Sequence, residues 1–182
     1  NRVALKLIED QVKYRIERIP GATPFVVDRG AVLPVRLDWR SHGGDFVSAV
    51  TNQGGCGSCW AFAATAAFES AYLIQQGLSG EDFDRSEQDV LSCSNAGSCG
   101  GGSAPSALNY IVNGGVVDEA CFPYAGLDLP CTDKCADWDT RQVRARGIQS
   151  VSSDVDSLKA ALQYGPTTIC FTVYSDFFSY GG

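Results

Sequence analysis

The stretch GGCGSCWAF, Gly54 to Phe62, places two cysteines three apart in a glycine-rich run, with Trp60 directly after the second. Three chemistries use such a pair: a redox dithiol, half of a zinc site, or a disulfide cysteine standing beside a nucleophile. A thioredoxin-type dithiol follows a strand in a βαβ unit, whereas Thr51 to Gly55 is glycine-rich and carries no strand pattern. A zinc site needs a second Cys-x-x-Cys or a histidine pair at matching spacing. The further cysteines at Cys93, Cys99, Cys121, Cys131 and Cys135 do not supply it, and the single histidine, His42, has no partner. No metal or other cofactor is expected.

The third reading draws on the residues after the motif. Cys59 to about Gln76 is rich in alanine, carries Phe62, Phe68, Tyr72, Leu73 and Ile74, and meets a stop at Gly77. A long helix is predicted there, with Cys59 in its first turn. Free N–H groups and the helix dipole favour an anion at that position, and the thiolate is the nucleophilic form of cysteine.

The bulk of the chain narrows the class. Its 182 residues are 45% hydrophobic and 19% charged, which fits a folded protein of one domain or two small ones. The net charge of −7 comes with scattered Lys and Arg, so neither nucleic acid nor an anionic membrane is an expected partner. No apolar run approaches the roughly 20 residues of a membrane span. A charged–apolar–small leader does not open the chain, so a targeting segment is expected to be removed or not included. Eight cysteines point to a disulfide-forming compartment: secreted, extracytoplasmic, or lysosome- or vacuole-like. No Asn-x-Ser/Thr sequon is present.

Helical patterns dominate the first two thirds. Residues 1–19 alternate charge with Val3, Leu7, Ile8, Val12, Ile16 and Ile19, an amphipathic helix broken at Pro20-Gly21. Ser86 with Asp89 three residues on forms a capping box for a helix to Cys93. A third helix is predicted from about Pro105 to Asn113, ahead of Gly114-Gly115. A cysteine-rich irregular segment runs to Cys135. Asp154 to Tyr164 reads as a helix stopped by Gly165-Pro166, and Thr167 to Tyr174 as a β-branched, aromatic strand. Helices followed by the start of a β-rich part make an α+β protein of two lobes.

The string Cys56-Gly57-Ser58-Cys59-Trp60-Ala61-Phe62 resembles that of the papain-like cysteine peptidases. So do Asp38-Trp39-Arg40, Gln53 six residues before Cys59, Ser86-Glu87-Gln88, Cys99-Gly100-Gly101-Gly102, Phe122-Pro123-Tyr124 and Gly165-Pro166, in this order over about Leu33 to Gly182. Within the family, Cys121 to Tyr124, the pair Cys131-x-x-x-Cys135, and Val-Tyr-Ser-Asp-Phe at 173–177 resemble the cathepsin B-like branch. The resemblance implies a papain-like fold with a complete helical lobe at 33–140, the start of the β-rich, barrel-like lobe at 141–182, and an N-terminal extension at 1–32. That extension is read as a propeptide remnant, because mature chains of the family begin near the equivalent of Leu33.

The resemblance also implies roles. Cys59 is the nucleophile, and Gln53 offers its side-chain amide, with the Cys59 N–H, to the oxyanion of the tetrahedral intermediate. Gly101 and Gly102 lie where a substrate backbone docks as an added strand. Ser103, Ala104 and Cys170 resemble walls of the pocket for the second residue before the scissile bond, and Trp60 is grouped with them. Cys170 has an equal claim as a small buried hydrophobe in a strand. The implied disulfides are Cys56–Cys99, Cys93–Cys131 and Cys121–Cys135; six cysteines alone allow 15 connectivities.

One part of the family pattern is absent. The base histidine lies roughly 130–150 residues beyond the nucleophile, about positions 189–209 here, and an asparagine orients it. Both fall past Gly182, and His42 reads as a surface-loop residue. The expectation is a cysteine endopeptidase acting through a thioester, its His and Asn supplied by sequence beyond residue 182 or by a second chain. Endopeptidase action is expected because only nine residues separate Cys121 from Cys131, too few for the disulfide-closed insertion of dipeptide-trimming cathepsin B-like enzymes. The expected partners are a peptide or protein substrate and a propeptide or protein inhibitor. The alternative is a catalytically inactive binding or structural protein on the same fold.

Overall fold

The structure, a computed structural model, describes residues 21–28, 30, 32–171 and 174–179. Five α-helices lie among them: α1 (Cys59–Gln76), α2 (Glu87–Cys93), α3 (Ala104–Asn113), α4 (Trp138–Arg141) and α5 (Val155–Leu162). Four two-residue strands accompany them: β1 (Thr23–Pro24), β2 (Gly97–Ser98), β3 (Gly101–Gly102) and β4 (Gln149–Ser150).

Helix α1 organises the molecule. Trp60, Ala64 and Phe68 form one i, i+4 stripe, and Ala61, Thr65, Glu69 and Leu73 a second; all are buried. The alanines let α3 approach closely through Ala104, Ala107 and Ile111, and Val90, Leu91 and Val116 complete this core. Ile111 is fully buried, so Ile111→Ala would cost about 2–5 kcal/mol. Gly77 ends the helix at φ +67°, and Leu78 N–H reaches back to the Leu73 carbonyl at 2.9 Å, closing a Schellman turn.

A second small core of Val117, Cys121 and Phe122 lies under Cys93, Leu129 and Cys135. Three disulfides tie these layers together: Cys56–Cys99, Cys93–Cys131 and Cys121–Cys135, spanning 43, 38 and 14 residues. Strands β2 and β3 form a tight antiparallel hairpin, Gly97 opposite Gly102. Strands β1 and β4 pair in parallel, Thr23 opposite Gln149, and Phe25 packs edge-on against Tyr164 at 5.7 Å. Residues 23–25 are thus docked on the body. Mixed helix and sheet of this kind is the α+β class expected.

Three expectations need adjustment. Ser86 does cap α2, its Oγ accepting Asp89 N–H at 2.9 Å, but the return half of the capping box is missing. Ser86 N–H goes to the Val117 carbonyl instead, which leaves the Asp89 carboxylate free for other partners. Thr167–Cys170 is not a strand: a strand needs a ladder partner, and none lies beside it among the described residues. Cys170 is therefore exposed rather than buried, next to Ile169 at 65% exposure. The amphipathic helix expected over 1–19 lies outside the described residues, as does Val173.

Candidate active site

The turn before Cys59 is built from backbone constraints. Asn52 Oδ1 accepts Gly54 N–H at 2.8 Å, and Gly54 takes φ +61°, a conformation glycine adopts without strain. Gly57 N–H donates to the Cys99 carbonyl at 2.8 Å, alongside the Cys56–Cys99 bridge. A Cβ at Gly57 would stand 2.6 Å from that carbonyl oxygen, so only glycine fits. Cys56 is 3% exposed and holds the turn, while Cys59 is a free, exposed thiol at the first position of α1. The Cys-x-x-Cys is thus neither a closed redox pair nor a zinc half-site; no group of three or more metal-ligating side chains occurs among the described residues.

Ser58 precedes α1 in the capping position, yet its side chain makes no capping bond. The Ser58 backbone carbonyl instead accepts Ala61 N–H at 2.8 Å and Phe62 N–H at 3.2 Å. Gln53 Nε2 donates to the Cys56 carbonyl at 3.0 Å. A primary amide has two N–H donors, so this bond fixes the amide plane and leaves one donor for a ligand.

The remaining candidates divide between surface and support. Gly101 is exposed at φ +123°, with nothing within 4 Å of where its Cβ would stand, so its face is open. Gly102 has a different reason to lack a side chain: a Cβ there would lie 2.5 Å from the Trp60 ring. Trp60 itself is 4% exposed and donates Nε1–H to the Ser98 carbonyl at 3.3 Å. It is the floor beneath the β2–β3 hairpin and not a contact surface. Ser103 caps α3, accepting Ser106 N–H at 3.3 Å, and Ala104 is in the core. Cys170 stands apart from the core, on the exposed segment after Pro166. His42 is exposed and stacks edge-on against Trp39 at 5.2 Å.

Two carboxyl groups of the described residues are pushed up to about 7, one buried and one half-buried. Glu69 is 3% exposed, accepts the Ser48 hydroxyl and the Arg85 N–H, and is pushed up to about 7 by burial, with Glu87 and Asp84 adding to the rise. Glu119 is also pushed up to about 7, mainly by burial, although its Oε1 accepts Tyr124 N–H. Sequence reasoning assigns roles to none of Glu69, Glu119 and Tyr124. Tyr124 stands within a recognised motif, but nothing in the string indicates where its hydroxyl points.

The description "Papain family cysteine protease" matches residues 33–182. The probable cysteine protease RDL2 of Arabidopsis thaliana is 36% identical over 85% of this chain and 42% of its own length. Pro-cathepsin H of Medicago truncatula is 36% identical over 80% of this chain and 41% of its own length. The structure of digestive procathepsin L 3 from Tenebrio molitor larval midgut aligns at TM-score 0.66 and 32% identity, covering 78% of this chain and 45% of that one. The chain belongs to the papain family of cysteine proteases.

The chain spans less than half the length of each of these relatives. The cathepsin B-like leaning finds no support in them, since they carry RDL, cathepsin H and cathepsin L names. Two of the segments that suggest it, Cys121–Tyr124 and Cys131–Cys135, are joined by the Cys121–Cys135 disulfide. No helix among the described residues is long and apolar enough to cross a membrane.

Proposed function

We propose that this chain carries the nucleophile half of a cysteine endopeptidase that cleaves peptide bonds through a thioester. The observation that carries the reading is an exposed Cys59 thiol at the first position of α1, together with a Gln53 amide held on the Cys56 carbonyl with one donor to spare. In the reaction the Cys59 thiolate attacks the peptide carbonyl carbon, a C–S bond forms, and the carbonyl oxygen becomes an oxyanion. The Cys59 N–H and Gln53 Nε2 stabilise that charge. Collapse breaks the C–N bond, and the leaving amine takes its proton from an imidazolium. Water then hydrolyses the thioester and releases the acid.

The imidazole is supplied by sequence beyond residue 182 or by a second chain, with an asparagine to orient it. His42 is engaged on Trp39 and does not serve. The exposed edge at Gly101 takes the substrate backbone, with Gly102 and Ser103 beside it, and Ala104 and Cys170 belong to the same binding region. Residues 1–32 are a propeptide remnant. The β1–β4 pairing supports this, because it lays residues 23–24 against the body as a strand, and so does the proform named for the Tenebrio molitor relative. A lysosome- or vacuole-like compartment, or secretion, fits three disulfides and buried carboxylates that prefer protons.

The test is digestion of an unfolded protein substrate by the native preparation, with the products mapped by mass. Internal cuts abolished by Cys59→Ala are expected. Dipeptides released from C-termini as the main product would contradict endopeptidase action.

A further inference from the structure

The hydroxyl of Tyr124 joins Gln53 to Ser58, the residue before Cys59. It donates to the Gln53 backbone carbonyl at 2.9 Å and stands 2.6 Å from Ser58 Oγ. A phenol has one proton, and a carbonyl can only accept. Tyr124 therefore spends its proton on Gln53, and Ser58 donates into the Tyr124 oxygen. The chain of bonds runs from the residue before the nucleophile, through one phenol, to the backbone of the oxyanion donor.

This arrangement explains why Ser58 does not cap α1. A serine in that position ordinarily turns its oxygen onto a first-turn N–H. Ser58 is fully buried, and its hydroxyl is committed to Tyr124. Ala61 N–H, which a capping oxygen would accept, goes to the Ser58 backbone carbonyl at 2.8 Å instead.

Tyr124 is itself rigidly held. Its N–H goes to Glu119 Oε1 at 2.6 Å, and its ring packs edge-on against Phe62 of α1 at 4.8 Å. The next residues are clamped to α2: Ala125 N–H donates to Gln88 Oε1 at 2.9 Å, and Gln88 Nε2 donates to the Leu127 carbonyl at 2.9 Å. Gln88 is fully buried, so this anchor is not a surface accident.

We propose that Tyr124 is a positioning residue for the peptidase reaction: its hydroxyl sets the Gln53 backbone, and with it the Gln53 amide, relative to Cys59. The inference rests on the peptidase reading of Cys59 and Gln53. Removing the hydroxyl leaves the Gln53 carbonyl without its donor. Misplacement of a reacting or stabilising group by about 1 Å costs roughly 100-fold.

The experiment uses the native protein with any second chain it carries, and compares wild type with Tyr124→Phe and Phe62→Leu. Tyr124→Phe keeps the ring and removes only the oxygen. The expected result is a fall in kcat of about 10-fold to 100-fold with KM little changed. Affinity for a peptide aldehyde, whose adduct on Cys59 presents an oxyanion-like oxygen, should fall by a similar factor. Alkylation of Cys59 by iodoacetamide, which uses no oxyanion donor, should keep its rate and so report an intact fold. Phe62→Leu disturbs the same ring contact without touching the hydroxyl, and should cost less than about threefold in kcat. If Tyr124→Phe matches wild type, or if Phe62→Leu loses kcat as severely, the positioning role is overturned and packing explains the site. Wild-type protein that neither turns over peptides nor binds the aldehyde overturns the peptidase reading, and this inference with it.

Discussion

Asp89 and Lys134 meet at 3.0 Å where neither side chain reaches water, with side-chain exposures of 0% and 6%. The Asp89 carboxylate also accepts the Tyr110 hydroxyl at 2.9 Å and the Val117 N–H at 3.0 Å. One carboxylate thus joins α2, α3, the Val116–Val117 segment and the loop between Cys131 and Cys135. Lys134 Nζ completes its surroundings by standing 4.7 Å over the Trp138 ring.

Cutting this pair from one side strands a charge. Lys134→Met should lower stability by about 3–5 kcal/mol, because Asp89 stays buried without its counter-ion. The double variant Asp89→Asn with Lys134→Met should lose less than the sum of the two single changes. Thermal unfolding of all four proteins at one pH checks this. Simple additivity would show that the pair is not coupled.

Stability should depend on pH through Glu69. Its folded carboxyl is raised from 4.5 to about 7 by burial, so the native state holds a proton that the unfolded chain gives up. The native state then binds more protons between those two values, and stability falls as pH rises through this window. The contribution is complete below 4.5 and gone above about 7. Glu69→Gln should flatten the slope, with the remainder carried by Glu119 and Glu87, which are raised too. A set of Tm values across this range decides it. A wild-type Tm that climbs toward neutral pH would contradict the assignment.

The hairpin over Trp60 should be intolerant of any side chain at Gly102. A methyl group there would collide with a buried indole ring at 2.5 Å, and overpacking of this kind costs about 1–3 kcal/mol. Gly102→Ala should lower Tm and shift the near-ultraviolet signal of the indole. At Gly101, the space is open, and the obstacle to substitution is φ +123° alone. Equal tolerance of alanine at both positions would show that Trp60 does not support the hairpin.

Much of the helical part is legible in the sequence. Alanine-rich α1 carries its own stop at Gly77, and Ser86, Ser103 and Asp154 each cap a helix with their own oxygen. These are local effects, complete within a few residues. Thr167–Cys170 has the β-branched composition of a strand, but pairing is a property of two segments, and no second one lies beside it among the described residues. The parallel contact of β1 with β4 is invisible for the same reason, since two short polar segments far apart in the chain carry no pattern.

The site divides likewise. Cys59, Gln53 and the glycines stand in short strings whose spacing carries meaning. Adjacency to Cys59 says nothing about which way the Trp60 indole turns. In the structure it turns inward, under Gly97 and Gly102. Tyr124 lies far from Gln53 in sequence, and only the folded chain brings its hydroxyl onto that carbonyl.

The most direct measurement of the central claim is labelling of the native preparation with an epoxysuccinyl peptide at mildly acidic pH, followed by mass mapping of every cysteine. The account predicts fast, stoichiometric modification at Cys59 with Cys170, the other free thiol, spared. Labelling of Cys59 no faster than that of Cys170 would contradict it, and would favour a papain-fold protein that binds without cleaving.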